Sequence, residues 1–90
     1  MTRWEELPIK TQHKLAALRV IYPKYKWVAA DSRGGICIFE AEPELENGQY
    51  INLVGSEWTR ISSDTMRSSI RVFENGEINH DMGPVYYGEL

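Results

Sequence analysis

"KYKWVAADSRGGICIFE", residues 24–40, decides the fold. Tyr25, Trp27 and Ala29 alternate with Lys26, Val28 and Ala30, a period of two that belongs to a strand. "DSRGG" then supplies turn chemistry: Asp31 for local hydrogen bonds and glycine for a positive φ. "ICIFE" resumes with β-branched and aromatic side chains. The stretch is expected to fold as a β-hairpin over about 25–40.

Upstream of the hairpin the period is helical. A helix over about 8–22 would carry Pro8 at its first position, where the missing N–H costs nothing. It should stop before Pro23, because a residue preceding proline avoids the helical region. Thr2-x-x-Glu5 reads as a capping box for a short turn ahead of it. Ile9, Ala16 and Val20 share one stripe of the helix, flanked by His13 and Ala17. Leu15, Leu18 and Tyr22 form a second stripe, and Ile21 lies between the two. The polar arc is narrow, around Gln12 and Arg19. A helix apolar on two sides calls for two partners, either a sheet that wraps around it or a second copy in a homodimer.

Downstream, Pro43 confines the following stretch to an edge or a loop. "ENGQ" (46–49) is a turn into the strand "YINLV", which "GSEW" interrupts. "SSIRVF", "ENGE" and "INH" read as a second hairpin over about 68–80, turning at Asn75-Gly76. "GPVYYG" can add a last short strand. Residues 55–66 admit either a strand and turn or a short helix capped by Ser62, Ser63 or Asp64. The expected fold is α+β over a single domain, residues 1–90: an N-terminal helix packed on an antiparallel sheet of four to five strands built from hairpins.

The composition, 42% apolar and 26% charged, is that of an ordinary globular domain. Cys37 is the single cysteine, so an internal disulfide is excluded and a reducing compartment is expected. No N-x-S/T site occurs, no apolar run approaches the ~20 residues that span a bilayer, and "MTRWEELP" is too polar for a signal peptide. These features point to the cytoplasm and away from membranes. The net charge of −3 hides a polarity. Residues 1–26 hold six cations against two acids, a balance of +4, and residues 27–90 hold four arginines against eleven acids, a balance of −7. Such halves either attract each other or mark a partner surface.

Catalytic chemistry finds little support. A nucleophile needs a base within reach and a group to orient that base. The two histidines, His13 and His80, lie on a helix flank and after a hairpin strand, with no diagnostic spacing. Cys37 alternates into "ICIF" as a small strand residue. Metal-ligand motifs and phosphate-cradling loops are absent from the sequence. The chain is read as a non-enzyme with no cofactor.

Two surfaces remain. Glu40, Glu42, Glu44 and Glu46 recur every second residue, so on an extended strand they would share one face about 6.6 Å apart. Neighbours at that distance in water repel by about 0.6 kcal/mol, tolerable only if the row stays solvated. The row is either an exposed edge that discourages stray pairing or a stripe that recognises a host protein with a basic surface. The second surface, Arg19, Lys24, Tyr25, Lys26 and Trp27, mixes cations with rings as a nucleic-acid or nucleotide binder would. The acidic balance of the whole chain argues against that use.

"KYKWVAADSRGGICIFEAEP", residues 24–43, resembles a segment of small proteins encoded by bacteriophages and prophages. The resemblance rests on Tyr25 and Trp27, the step from Ala29 to Asp31, Gly34, the strand from Ile36 to Phe39, Glu40, Pro43 and Tyr50. It covers about a quarter of the chain. It implies no established activity and transfers no catalytic residue. What it implies is a virus-encoded accessory protein that acts in the host cytoplasm by binding a host component.

Overall fold

A computed structural model describes residues 2–53, 55–61, 73–74 and 76–90. A 3₁₀ turn at Trp4–Glu6 leads into the helix α1, Ile9–Ile21. Among the described residues six strands follow: β1 Trp27–Ala30, β2 Ile36–Phe39, β3 Glu44–Glu46, β4 Gln49–Ile51, β5 Trp58–Arg60 and β6 Val85–Tyr86. A second 3₁₀ turn, His80–Met82, precedes β6. The strands form two antiparallel units, a four-stranded sheet ordered β5-β2-β1-β6 and a separate β3-β4 ribbon. The chain is therefore a small α+β domain with one N-terminal helix.

The β1–β2 hairpin sits at the centre of the sheet, with Trp27 opposite Phe39 and Ala30 opposite Ile36. Its turn is organised by Asp31, whose Oδ1 accepts from the N–H groups of Arg33 and Gly35, each at 2.9 Å. Gly34 takes φ +88°, a conformation that a side chain disfavours. At the start of the chain, the Arg3 N–H donates to the Glu6 carboxylate. The expected Thr2–Glu5 box is thus displaced by one residue.

Alternation assigns the two faces of the sheet. Val28, Ala30, Ile36, Ile38 and Val85 point to one side and pack with Leu15 and Leu18 of α1. Leu7, Ile61, Phe73, Ile78 and Tyr87 complete this core. Each fully buried aliphatic side chain contributes about 1.5–3 kcal/mol of hydrophobic stabilisation. Of the two helix stripes, the one with Leu15 and Leu18 is buried, whereas Ile9 and Val20 face solvent.

A polar seam fastens the helix laterally. Glu77 accepts from Thr11 Oγ1 and Lys14 Nζ, each at 2.6 Å, and from the Glu74 N–H at 2.9 Å. Lys10 pairs with Glu74 on the outside. The basic first segment and the acidic remainder of the chain therefore attract each other directly. Of the second hairpin expected over about 68–80, residues 68–72 and 75 lie outside the described residues. The described part of that stretch before His80 is turn and bend.

Candidate functional site: an acidic ribbon over a cleft

The opposite face of the sheet carries a different pattern. Trp58 pairs with Phe39, Phe39 with Trp27, and Trp27 with Tyr86. Directly paired residues of antiparallel strands share a face, so four aromatic side chains form a row across all four strands. Trp27 and Tyr86 touch, with ring centroids 5.0 Å apart. The next row holds Arg60, Cys37 and Ala29.

The β3–β4 ribbon covers part of this face. Its loop is Asn47-Gly48, with φ of +52° and +79°, the two-residue turn that "NG" favours in a hairpin. The Gly48 carbonyl accepts from the Ser32 N–H at 3.0 Å, which ties the ribbon tip to the β1–β2 turn. Tyr50 lies against His80, ring centroids 5.7 Å apart, and His80 Nδ1 is 3.2 Å from the Ala30 carbonyl oxygen. The molecule thus has three layers: helix, sheet and ribbon.

Between ribbon and sheet lies a cleft of ≈ 250 Å³. Its floor is Ala29, Cys37 and Phe39, its side wall is Trp58 and Arg60, and its roof is β4 from Gln49 onward to Asn52. Asp31 and Gly35 close one end. Phe39 is only 1% exposed, whereas Trp58 is 50% exposed at the mouth. Ile51, Leu53 and Leu45 of the ribbon region are exposed as well. Burial pushes the Cys37 thiol pKa up, an effect that the nearby Arg60 guanidinium opposes. A raised thiol pKa makes a poor nucleophile. The volume falls below the ~300–1,000 Å³ usual for small-molecule sites, so the cleft suits one inserted side chain better than a free ligand.

The glutamate row does not lie on one strand. Glu40 follows the last residue of β2 and opens a bend, Glu42 is exposed after that bend and before the buried Pro43, and Glu44 and Glu46 lie on β3. Glu40 is engaged by Lys24, whose Nζ lies 3.6 Å from it and 2.9 Å from Glu57. The Lys24 hydrogen bond and charge hold the Glu57 carboxyl below its usual pKa. Glu42, Glu44 and Glu46 have no ion pair among the described residues. The acidic surface therefore consists of three free carboxylates on the ribbon side, with Glu40 drawn into an internal bridge.

The basic-aromatic stretch is mostly occupied within the chain. Arg19 donates to the carbonyls of Pro23 and Tyr25. Tyr25 packs edge-on against Tyr22, and Trp27 packs against Tyr86. Lys26 alone of its cations has neither a hydrogen bond nor an ion pair from its side chain among the described residues. Trp27 points to the ribbon side of the sheet, in the aromatic row, so it does not join Arg19 and Lys24 in one platform.

Trp58 and Ile51 are singled out by no motif in the sequence, and Tyr50 only by the phage-protein resemblance. The signal that bears on them is the two-residue alternation of short strands after each turn. It marks which neighbours share a face but not which strands lie side by side. No protein-family model, curated protein or solved structure matches the chain. Among the described residues no helix is long and apolar enough to cross a membrane, and no group of three His, Cys, Asp or Glu side chains is placed to hold a metal ion.

Proposed function

We propose that this is a small phage-encoded binding protein that acts without catalysis, by gripping a basic, extended segment of a host protein on its ribbon side. One observation carries the reading: a half-exposed Trp58 stands at the mouth of a cleft bordered by a ribbon whose glutamates have no ion-pair partner among the described residues. A buried aromatic anchor inside a charged rim is the usual anatomy of a protein-binding hot spot. A cationic side chain can lay its stem on Trp58 and gain a cation–π contact there. Cations at alternate positions of an extended segment match the spacing of Glu44 and Glu46 on β3. The charges would steer association and select the partner.

The test uses a fluorescein-labelled peptide alternating arginine with apolar residues, with a scrambled acidic peptide as control. Binding to the basic peptide should weaken with salt and shift the amide resonances of the ribbon and the Trp58 indole. Reversing Glu42, Glu44 and Glu46 to lysine should weaken binding at least about tenfold, the equivalent of ~1.4 kcal/mol. Equal affinity of the reversed variant, with its fold intact, would remove the proposal.

A further inference from the structure

We infer that the outer face of α1 is a self-association surface on which a second copy of this chain packs antiparallel. At 100° per residue, Ile9, His13, Ala16, Ala17 and Val20 fall within an arc of about 100°. The buried Thr11, Leu15 and Leu18 lie diametrically opposite. The solvent-facing meridian of the helix is therefore apolar except for His13. Val20 is 82% exposed, Ile9 63% and Ile21, beside the arc, 64%. A surface helix ordinarily turns charged residues outward at these positions. Exposure of large aliphatic side chains at both ends of the stripe marks an interaction surface.

Two features select a second copy as the occupant. The first is shape. A two-fold axis passing between Lys14 and Leu15 sets Ile9 of one helix against Val20 of the other. The same axis sets His13 against Ala16. Large side chains meet at both ends and a larger one faces a small one in the middle, so the stripe complements itself, as an isologous interface requires. The second is charge. The cations beside the stripe are matched within the chain, Lys10 by Glu74, Lys14 by Glu77 and Lys24 by Glu40 and Glu57. The lysines beside the stripe are thus already engaged, so an acidic partner helix finds few uncommitted cations to recognise.

Size sets the strength. A helix of 13 residues is about 20 Å long and about 10 Å wide. That footprint is below the ~800 Å² per partner of a standard stable interface. The dimer is accordingly weak and forms only at high protein concentration. It leaves the cleft and ribbon free, because they occupy the other side of the sheet.

Sedimentation equilibrium over about 10 µM to 1 mM tests the inference, with circular dichroism to confirm folding. The average mass of the native chain should rise from 10.4 kDa toward twice that value. Val20→Glu, at a site exposed enough to leave the fold intact, should hold the mass at the monomer value throughout. His13→Leu, which completes the apolar stripe, should lower the Kd severalfold. A native chain that stays monomeric at 1 mM overturns the inference. So does a Val20→Glu variant that associates like the native chain, or growth past the dimer, which a closed two-fold contact does not allow.

Discussion

Removing the Glu77 carboxylate should destabilise the protein more than any other loss of a charged side chain described above. Its side chain is 10% exposed and accepts three hydrogen bonds: from Thr11, from Lys14 and from the Glu74 N–H. Thr11 is itself buried, so Glu77→Ala leaves its hydroxyl without an acceptor, at a cost of about 1–3 kcal/mol. Breaking a buried ion pair costs about 3–5 kcal/mol, but the Lys14 side chain is 23% exposed and can rehydrate. The expected loss is about 2–4 kcal/mol, against a total of about 5–13 kcal/mol for a chain of this length. Urea denaturation at pH 7 should show the midpoint falling by about 1–2 M with an unchanged slope.

Glu77→Gln separates charge from geometry. Burial alone raises the Glu77 pKa, but hydrogen bonds from Lys14, Thr11 and the Glu74 N–H outweigh it and hold the carboxyl below its usual value. A carboxyl with a depressed folded pKa contributes fully above its unfolded pKa, about 4.3, and loses that contribution as pH falls through the folded value. The deficit of Glu77→Gln relative to the native chain should therefore be largest near pH 7 and narrow toward pH 3. The reasoning fails if Glu77→Ala matches the native midpoint at pH 7, or if the Gln deficit keeps its size at pH 3.

Two further substitutions probe the other layers. Leu15→Ala empties a fully buried site between helix and sheet and should cost about 2–5 kcal/mol, read as a fall of ~10 °C or more in thermal denaturation. Gly48→Ala places a Cβ at a φ of +79° and 3.0 Å from Ser32 Oγ. A cost of roughly 1–2 kcal/mol confined to the ribbon should speed hydrogen exchange of its amides about tenfold while the β1 and β2 amides keep their rates.

The hairpin was legible because its information is local. Period-two alternation in "YKWVAA" and the Asp31–Gly34 turn chemistry act within a few residues of each other. The helix was legible for the same reason, bounded by Pro8 and Pro23. Its two apolar stripes were visible too, but not which one the sheet would cover, since that depends on where Val28 and Ile38 lie. The glutamate row shows how a correct period can span two objects. Glu40 and Glu44 keep an even spacing although a bend and Pro43 separate them, so they belong to different strand pairs. The aromatic row was hidden because Trp58, Phe39, Trp27 and Tyr86 become neighbours only through the register of four distant segments. Glu77 was equally opaque: in sequence it is one more acid after a glycine turn, and only the docked helix makes it a buried acceptor.

Among the described residues no ladder bond joins the ribbon to the four-stranded sheet, and a single backbone hydrogen bond, from Ser32 to Gly48, ties down its tip. So few ties, with the Tyr50–His80 contact beside them, would let the ribbon open as a lid without global unfolding. In the open population the floor of the cleft, including Phe39, meets solvent. A ligand that touches both Trp58 and β4 draws the population closed, and its apparent affinity is the intrinsic affinity scaled by the closed fraction. Stiffening or loosening the Asn47-Gly48 turn would then tune recognition from a position that no ligand need contact.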